Sequence, residues 1–165
     1  TNSDNAVYEI IGSLLSDGRT SRLYKSLVEK QNLALTAEGS SGFPGDKYPN
    51  LIFFYALTSP GKTVDEIAIA LRQEIEKLKT EPVSAVELTR LKTQARAGLL
   101  RGLNSNSGMA EQLLEYEVKT GSWRNLFGQL DKIAAVTPED IQRVAKATFT
   151  PENRIVGKLL SKQPG

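Results

Sequence analysis

The apolar residues Val7, Ile10, Ile11, Leu14 and Leu15 recur at three- and four-residue steps, which predicts a helix over residues 5–16 behind an Asp4/Asn5 cap and stopped by Asp17-Gly18. Leu23, Leu27 and Val28 continue a second helical stripe to about Lys30, with Thr20 or Ser21 as its cap. The period then changes. Leu33-Ala34-Leu35-Thr36-Ala37-Glu38-Gly39-Ser40 alternates loosely and reads as a strand, ending at a Gly/Ser/Pro-rich turn from Gly42 to Pro49. Leu51-Ile52-Phe53-Phe54-Tyr55-Ala56-Leu57 is apolar at every position, the pattern of a central strand covered on both faces. The two strands are close enough in sequence to pair antiparallel across the turn.

Beyond the second strand, helix-start signals organise the chain. Thr63-Val64-Asp65-Glu66 has the form of a capping box, with Ile67, Leu71, Ile75 and Leu78 along one face until Glu81-Pro82. A second such box, Ser84-Ala85-Val86-Glu87, opens a helix carrying Leu88, Leu91, Ala95 and Leu99. The segment from Gly102 to Gly108 breaks the pattern, and helices are predicted from Met109 to about Lys119 and from Trp123 to Ala135, separated by Gly121-Ser122. Thr137-Pro138-Glu139-Asp140 starts a last helix to about Thr148, with Pro at the first helical position. After Pro151, Arg154 to Leu160 reads as a closing strand. The expected fold is therefore α+β: one domain over residues 1–165, a small antiparallel or mixed sheet, and helices packed mainly on one face.

Composition adds exclusions. Apolar residues make up 39% and charged residues 24% of the 165, so the chain can bury a core of its own. The 21 basic and 19 acidic residues are interspersed, which gives no clustered footprint for nucleic acid. No apolar run approaches the ~18 residues of a membrane span, and the amino terminus lacks a signal-peptide layout. Thr1-Asn2-Ser3-Asp4 reads as a cut inside a longer polypeptide. There is no Cys and no His, which removes the thiol nucleophile, the commonest general base and the commonest zinc ligands together.

The remaining candidates for chemistry have simpler explanations. Ser59-Pro60-Gly61-Lys62-Thr63 resembles the tail of a phosphate-binding loop, but Ala56 stands where that loop needs Gly, and Pro60 deletes a backbone donor. Ser59 and Lys62 have a spacing open to a serine-lysine dyad but sit in a turn with no apolar pocket around them. The pairs Asp65/Glu66 and Glu139/Asp140 fall in first helical turns, where the helix dipole favours them. Phe53, Phe54 and Tyr55 lack interleaved basic residues and read as core packing rather than a nucleic-acid platform.

The stretch from Leu14 to Ala34 contains Gly18-Arg19-Thr20-Ser21-Arg22-Leu23-Tyr24 and then Leu27-Val28-Glu29-Lys30-Gln31-Asn32-Leu33-Ala34. It resembles the G-R-x-S-R-L-[YF] and L-x-E-K-x-x-L-A signature of the pitrilysin/insulinase metallopeptidases, a family that includes the mitochondrial processing peptidase and bacterial homologues. The likeness continues through the aromatic strand, the Pro-Gly-Lys-Thr turn, the helix opening at Val83 to Leu88, and the stretch from Thr137 to Arg154. In that family two similar domains close like a clamshell around an unfolded peptide, and the amino-terminal one binds zinc through H-x-x-E-H and a further Glu. A chain without His resembles the other, non-catalytic half. The resemblance implies no catalytic, cofactor-binding or metal-binding residue in this domain, with zinc in the missing amino-terminal domain. It implies as partners a zinc-bearing peptidase domain, in the same chain or a partner subunit, and unfolded peptide. Its compartment stays open between bacterial cytoplasm and periplasm. Family members often carry Arg and Tyr in this half as L-R-x-K-x-x-L-x-Y, and Val28 and Leu35 occupy those positions here. Either the zinc motif and the Arg/Tyr pair sit on different subunits, or the parent protein has lost peptidase activity and serves as an interaction module.

Overall fold

The computed structural model describes residues 4–43 and 50–160. In chain order it contains α1 (Asn5–Ser16), a π-helix (Tyr24–Lys30), β1 (Ala34–Phe43), β2 (Leu51–Thr58), α2 (Val64–Thr80), α3 (Ala85–Gly102), α4 (Asn106–Thr120), α5 (Asn125–Ala135) and α6 (Pro138–Thr148). The arrangement is α+β, as the residue pattern predicts, with helices and a two-stranded antiparallel sheet.

The core forms around α1. Ile10, Ile11, Leu14 and Leu15 are fully buried, and Ala6, Val7, Gly12 and Ser16 are buried with them. A helix covered around most of its girth belongs inside a domain rather than on its surface. β1 lies against one side of α1, and α3, α5 and α6 enclose the rest. Leu23, Leu27, Leu78, Leu91, Ile141 and Val144 complete this apolar centre.

The capping signals at Thr63, Ser84 and Thr137 are used, the second only in part, whereas Asp4 precedes α1 without a side-chain capping bond and its carboxylate accepts from Arg143 instead. Thr63 Oγ1 accepts from the Glu66 amide at 3.2 Å, and the Glu66 carboxylate accepts from the Thr63 amide at 2.8 Å. Thr137 and Asp140 form the same reciprocal pair at 3.1 Å in both directions. At α3 only half of the box forms: Ser84 Oγ accepts from the Glu87 amide at 3.2 Å, while the Glu87 carboxylate turns to Arg22 instead. α4 begins at Asn106, earlier than expected, because Ser105 Oγ accepts from the Gly108 amide at 3.0 Å and caps it.

Three expectations are corrected. The second helix is a π-helix, closed by a bond from the Gln31 amide to the Ser26 carbonyl at 3.1 Å. Its wider winding accommodates a buried polar chain. Gln31 Nε2 donates to Ser26 Oγ, which donates to Glu74 Oε1, each at 2.9 Å, and Lys77 Nζ donates to the same oxygen at 2.7 Å. Secondly, β2 is covered on one face only; Leu51, Phe53, Tyr55 and Leu57 point away from the helices and are exposed. Thirdly, Arg154 to Leu160 forms no strand among the described residues and is exposed throughout. A strand needs a paired edge, and this segment pairs with neither β1 nor β2; its Lys158 instead forms an ion pair with Asp65 at the start of α2. Residues 44–49 of the expected turn lie outside the described residues.

Candidate functional site

The register of the sheet sorts its side chains into two unlike faces. Thr36 pairs with Leu57, Glu38 with Tyr55, Ser40 with Phe53 and Phe43 with Leu51, so each of these couples shares a face. On the inner face β1 supplies small residues: Ala34 and Ala37 are buried, and Gly39 allows the closest approach. A Cβ on Gly39 would lie 2.5 Å from Phe54 Cδ1, 2.6 Å from the Phe53 carbonyl oxygen and 3.0 Å from Ser16 Oγ of α1.

The outer face has the opposite character. Leu35 (57% exposed), Phe43, Leu51, Phe53, Tyr55 and Leu57 stand open to solvent. The rings form a row, with Phe43 and Phe53 stacked at 5.4 Å between centroids and Phe53 and Tyr55 at 6.0 Å. Contiguous exposed apolar surface of this kind is uncommon on a folded domain. One acid sits within it. Glu38 accepts from the Tyr55 hydroxyl at 2.5 Å and from Thr36 Oγ1 at 3.0 Å. The Tyr55 bond first, and the Thr36 bond after it, hold the Glu38 carboxyl below its ordinary value, and the same contact raises the Tyr55 phenol.

The residues that carry the Leu14 to Ala34 resemblance are placed in structural roles. Gly18 has φ +68°, in the left-handed region where glycine is favoured. The Arg19 guanidinium lies over the Tyr24 ring at 5.9 Å, and buried Ser21 accepts from the Tyr24 amide at 3.4 Å. Arg22 reaches α3 and binds Glu87 through two nitrogens. Val28 sits in the π-helix, half-buried against the core, whereas Leu35 is on β1 and exposed. Neither side chain carries a donor.

Other candidates are structural as well. Ser59-Pro60-Gly61-Lys62 is a tight turn with the Lys62 amide bonded to the Ser59 carbonyl at 3.1 Å and Gly61 at φ +78°, leading straight into the Thr63 cap. A cleft of about 470 Å³ between α4 and the start of α5 is lined by Leu113, Leu114, Glu117, Trp123 and Arg124, the last stacked on the indole at 4.4 Å. The described residues do not fit zinc. Imidazole and thiolate are absent from the sequence, and among the described residues no group of three or more His, Cys, Asp or Glu could hold a metal ion. Nor is any described helix long and apolar enough to cross a membrane.

The feature that the sequence pattern misassigns is the outer face. Phe53 and Tyr55 read as core, yet only Phe54 of the three packs inward, against Phe149 at 6.5 Å. The available signal was Thr36, Glu38 and Ser40 in β1, polar residues that share a face with Leu57, Tyr55 and Phe53.

Residues 1–95 match the family model of the peptidase M16 inactive domain. Over 157 residues the chain is 26% identical to a protein from Streptomyces coelicolor named an uncharacterized zinc protease, a match covering 93% of this chain and 33% of that protein. It is 26% identical over 146 residues to a zinc protease from Helicobacter pylori, covering 88% of this chain and 32% of the relative. The chain thus spans about a third of these curated relatives. Among solved structures, an inactive peptidase domain from Bordetella parapertussis superposes with a TM-score of 0.84 at 27% identity, covering 96% of this chain and 85% of that one. A Helicobacter pylori protease shares the fold with a TM-score of 0.80 at 24% identity, over 91% of this chain and 35% of its own.

Proposed function

The chain belongs to the peptidase M16 inactive-domain family, and from that premise we propose that it is the non-catalytic half of a zinc metallopeptidase unit, packing beside a zinc-bearing domain and lining part of the chamber that receives unfolded peptide. The single observation that carries this reading is the one-sided sheet. Helices cover its inner face, while Leu35, Phe43, Leu51, Phe53, Tyr55 and Leu57 leave the outer face apolar and open.

The arrangement suits binding without bond cleavage. Hydrolysis in this family needs a metal-bound water; the sequence has no His or Cys, and no group of three or more Asp or Glu among the described residues could hold the metal. Val28 and Leu35 also carry no donor for a developing oxyanion, so this pair does not stabilise the reacting carbonyl. What the domain contributes is contact area and exclusion of water around an extended peptide.

The test is a fluorescence-anisotropy titration of a labelled, unstructured apolar peptide with the purified chain. Saturable binding that Phe53→Ser weakens, with the far-UV circular dichroism unchanged, supports the chamber role. Binding that is indifferent to Phe53 contradicts it and favours an interaction module docking through its helices.

A further inference from the structure

We propose that the outer sheet face selects peptides carrying a cationic side chain flanked by apolar residues, with Glu38 as the charged contact and the Phe53, Tyr55 and Leu57 surface as its apolar surround; this rests on the peptide-receiving role proposed for the domain. Of the register pairs that make up the face, from Thr36 with Leu57 to Phe43 with Leu51, only Glu38 is charged. Both of its hydrogen bonds come from neutral hydroxyls, Tyr55 and Thr36, so they orient the carboxylate without neutralising it. No described cation forms an ion pair with it. A carboxylate offers about four acceptor positions, and two are used.

Covering this face with a purely apolar segment would strip water from the Glu38 carboxylate and give nothing back, a penalty that an incoming ammonium or guanidinium removes. Arginine fits best, because its planar head can also lie against the Tyr55 and Phe53 rings beside the acid. A second copy of the chain fits poorly. A twofold contact through the same face would bring two Glu38 carboxylates into one apolar patch, where like charges oppose association.

The experiment compares two labelled, unstructured peptides that differ only in one central residue, Arg or citrulline, titrated against the 165-residue chain by fluorescence anisotropy at low salt. The expected result is about fivefold tighter binding of the Arg peptide, the size of an exposed ion pair, shrinking as salt is added. Glu38→Gln is expected to abolish that difference, the Arg peptide losing its advantage over the citrulline peptide, and Phe53→Ser to weaken both. Equal Kd values for the two peptides on the unmodified chain overturn this inference and leave the peptide-receiving role standing, as does equal weakening of both by Glu38→Gln. Failure of both peptides to bind overturns the peptide-receiving role itself. Self-association of the chain that Phe53→Ser abolishes assigns the face to a second copy and overturns both.

Discussion

Arg22 and Glu87, 65 residues apart, meet in a two-pronged contact: Nη2 to Oε2 at 2.8 Å and Nε to Oε1 at 3.2 Å. The pair ties the segment after α1 to the first turn of α3, and it takes Glu87 away from the capping box that its spacing from Ser84 suggests. Both side chains are about four-fifths covered, at 19% and 23% exposed. This geometry is specific to a guanidinium.

Arg22→Ala is therefore expected to lower stability by about 1–2 kcal/mol, since it leaves a largely covered carboxylate without its charge-assisted bonds. Thermal unfolding should show a fall in Tm of roughly 3–6 °C for a domain of this size. Arg22→Lys should recover only part of it, because an ammonium cannot form the parallel pair of bonds. Full recovery with Lys would mean that charge alone holds the contact.

Gly39→Ala should destabilise the domain more than Gly12→Ala. At Gly39 the new methyl meets the Phe53 carbonyl oxygen at 2.6 Å, which is backbone and cannot turn aside, as well as the Phe54 ring. At Gly12 the nearest atom is the Ser41 hydroxyl oxygen at 3.2 Å, which can shift by a few tenths of an ångström. Overpacking of the first kind costs about 1–3 kcal/mol. Denaturant titration of both variants checks the order, and equal midpoints would show that the backbone around Gly39 leaves room for a methyl.

The two reciprocal caps predict the acid limb of stability. Asp140 is held below its ordinary carboxylate value by the Thr137 hydroxyl first and the Thr137 amide next, and Glu66 by the Thr63 amide and hydroxyl. Asp4 is lowered by its bond from Arg143. A carboxyl whose folded value is lowered contributes stability that is complete above its unfolded value, near pH 4, and is lost as pH falls through the folded value. Tm should thus be insensitive to these groups above about pH 5 and decline below about pH 4. Thr137→Ala should cost about 1 kcal/mol at pH 7 and progressively less in acid, where the partner carboxyl is protonated. A constant difference at every pH would separate the cap from Asp140.

Much of this architecture is legible in the residues, and the exceptions share a cause. Helix starts are local chemistry, so Thr63, Ser84 and Thr137 announce themselves. What Glu87 does is decided by an arginine far away in sequence, and nothing near Ser84 reports it. Ser26 of the π-helix bonds the buried Glu74 of α2, again a distant partner. The same holds for the sheet: an apolar run shows that β2 can be covered on both faces, whereas the coverage present depends on which elements reach it. The closing-strand pattern of Arg154 to Leu160 expresses propensity without a neighbouring edge to satisfy it. The absence of His and Cys, by contrast, is a matter of composition that no tertiary contact can change.

The proposal that this domain holds peptide without cutting it is tested most directly by native mass spectrometry of the purified chain, mixed with zinc and an unfolded apolar peptide. The predicted spectrum contains a one-to-one complex of the chain with intact peptide and no retained metal. Peptide fragments accumulating alongside a zinc-bound form of the chain, undiminished by further purification, would contradict it.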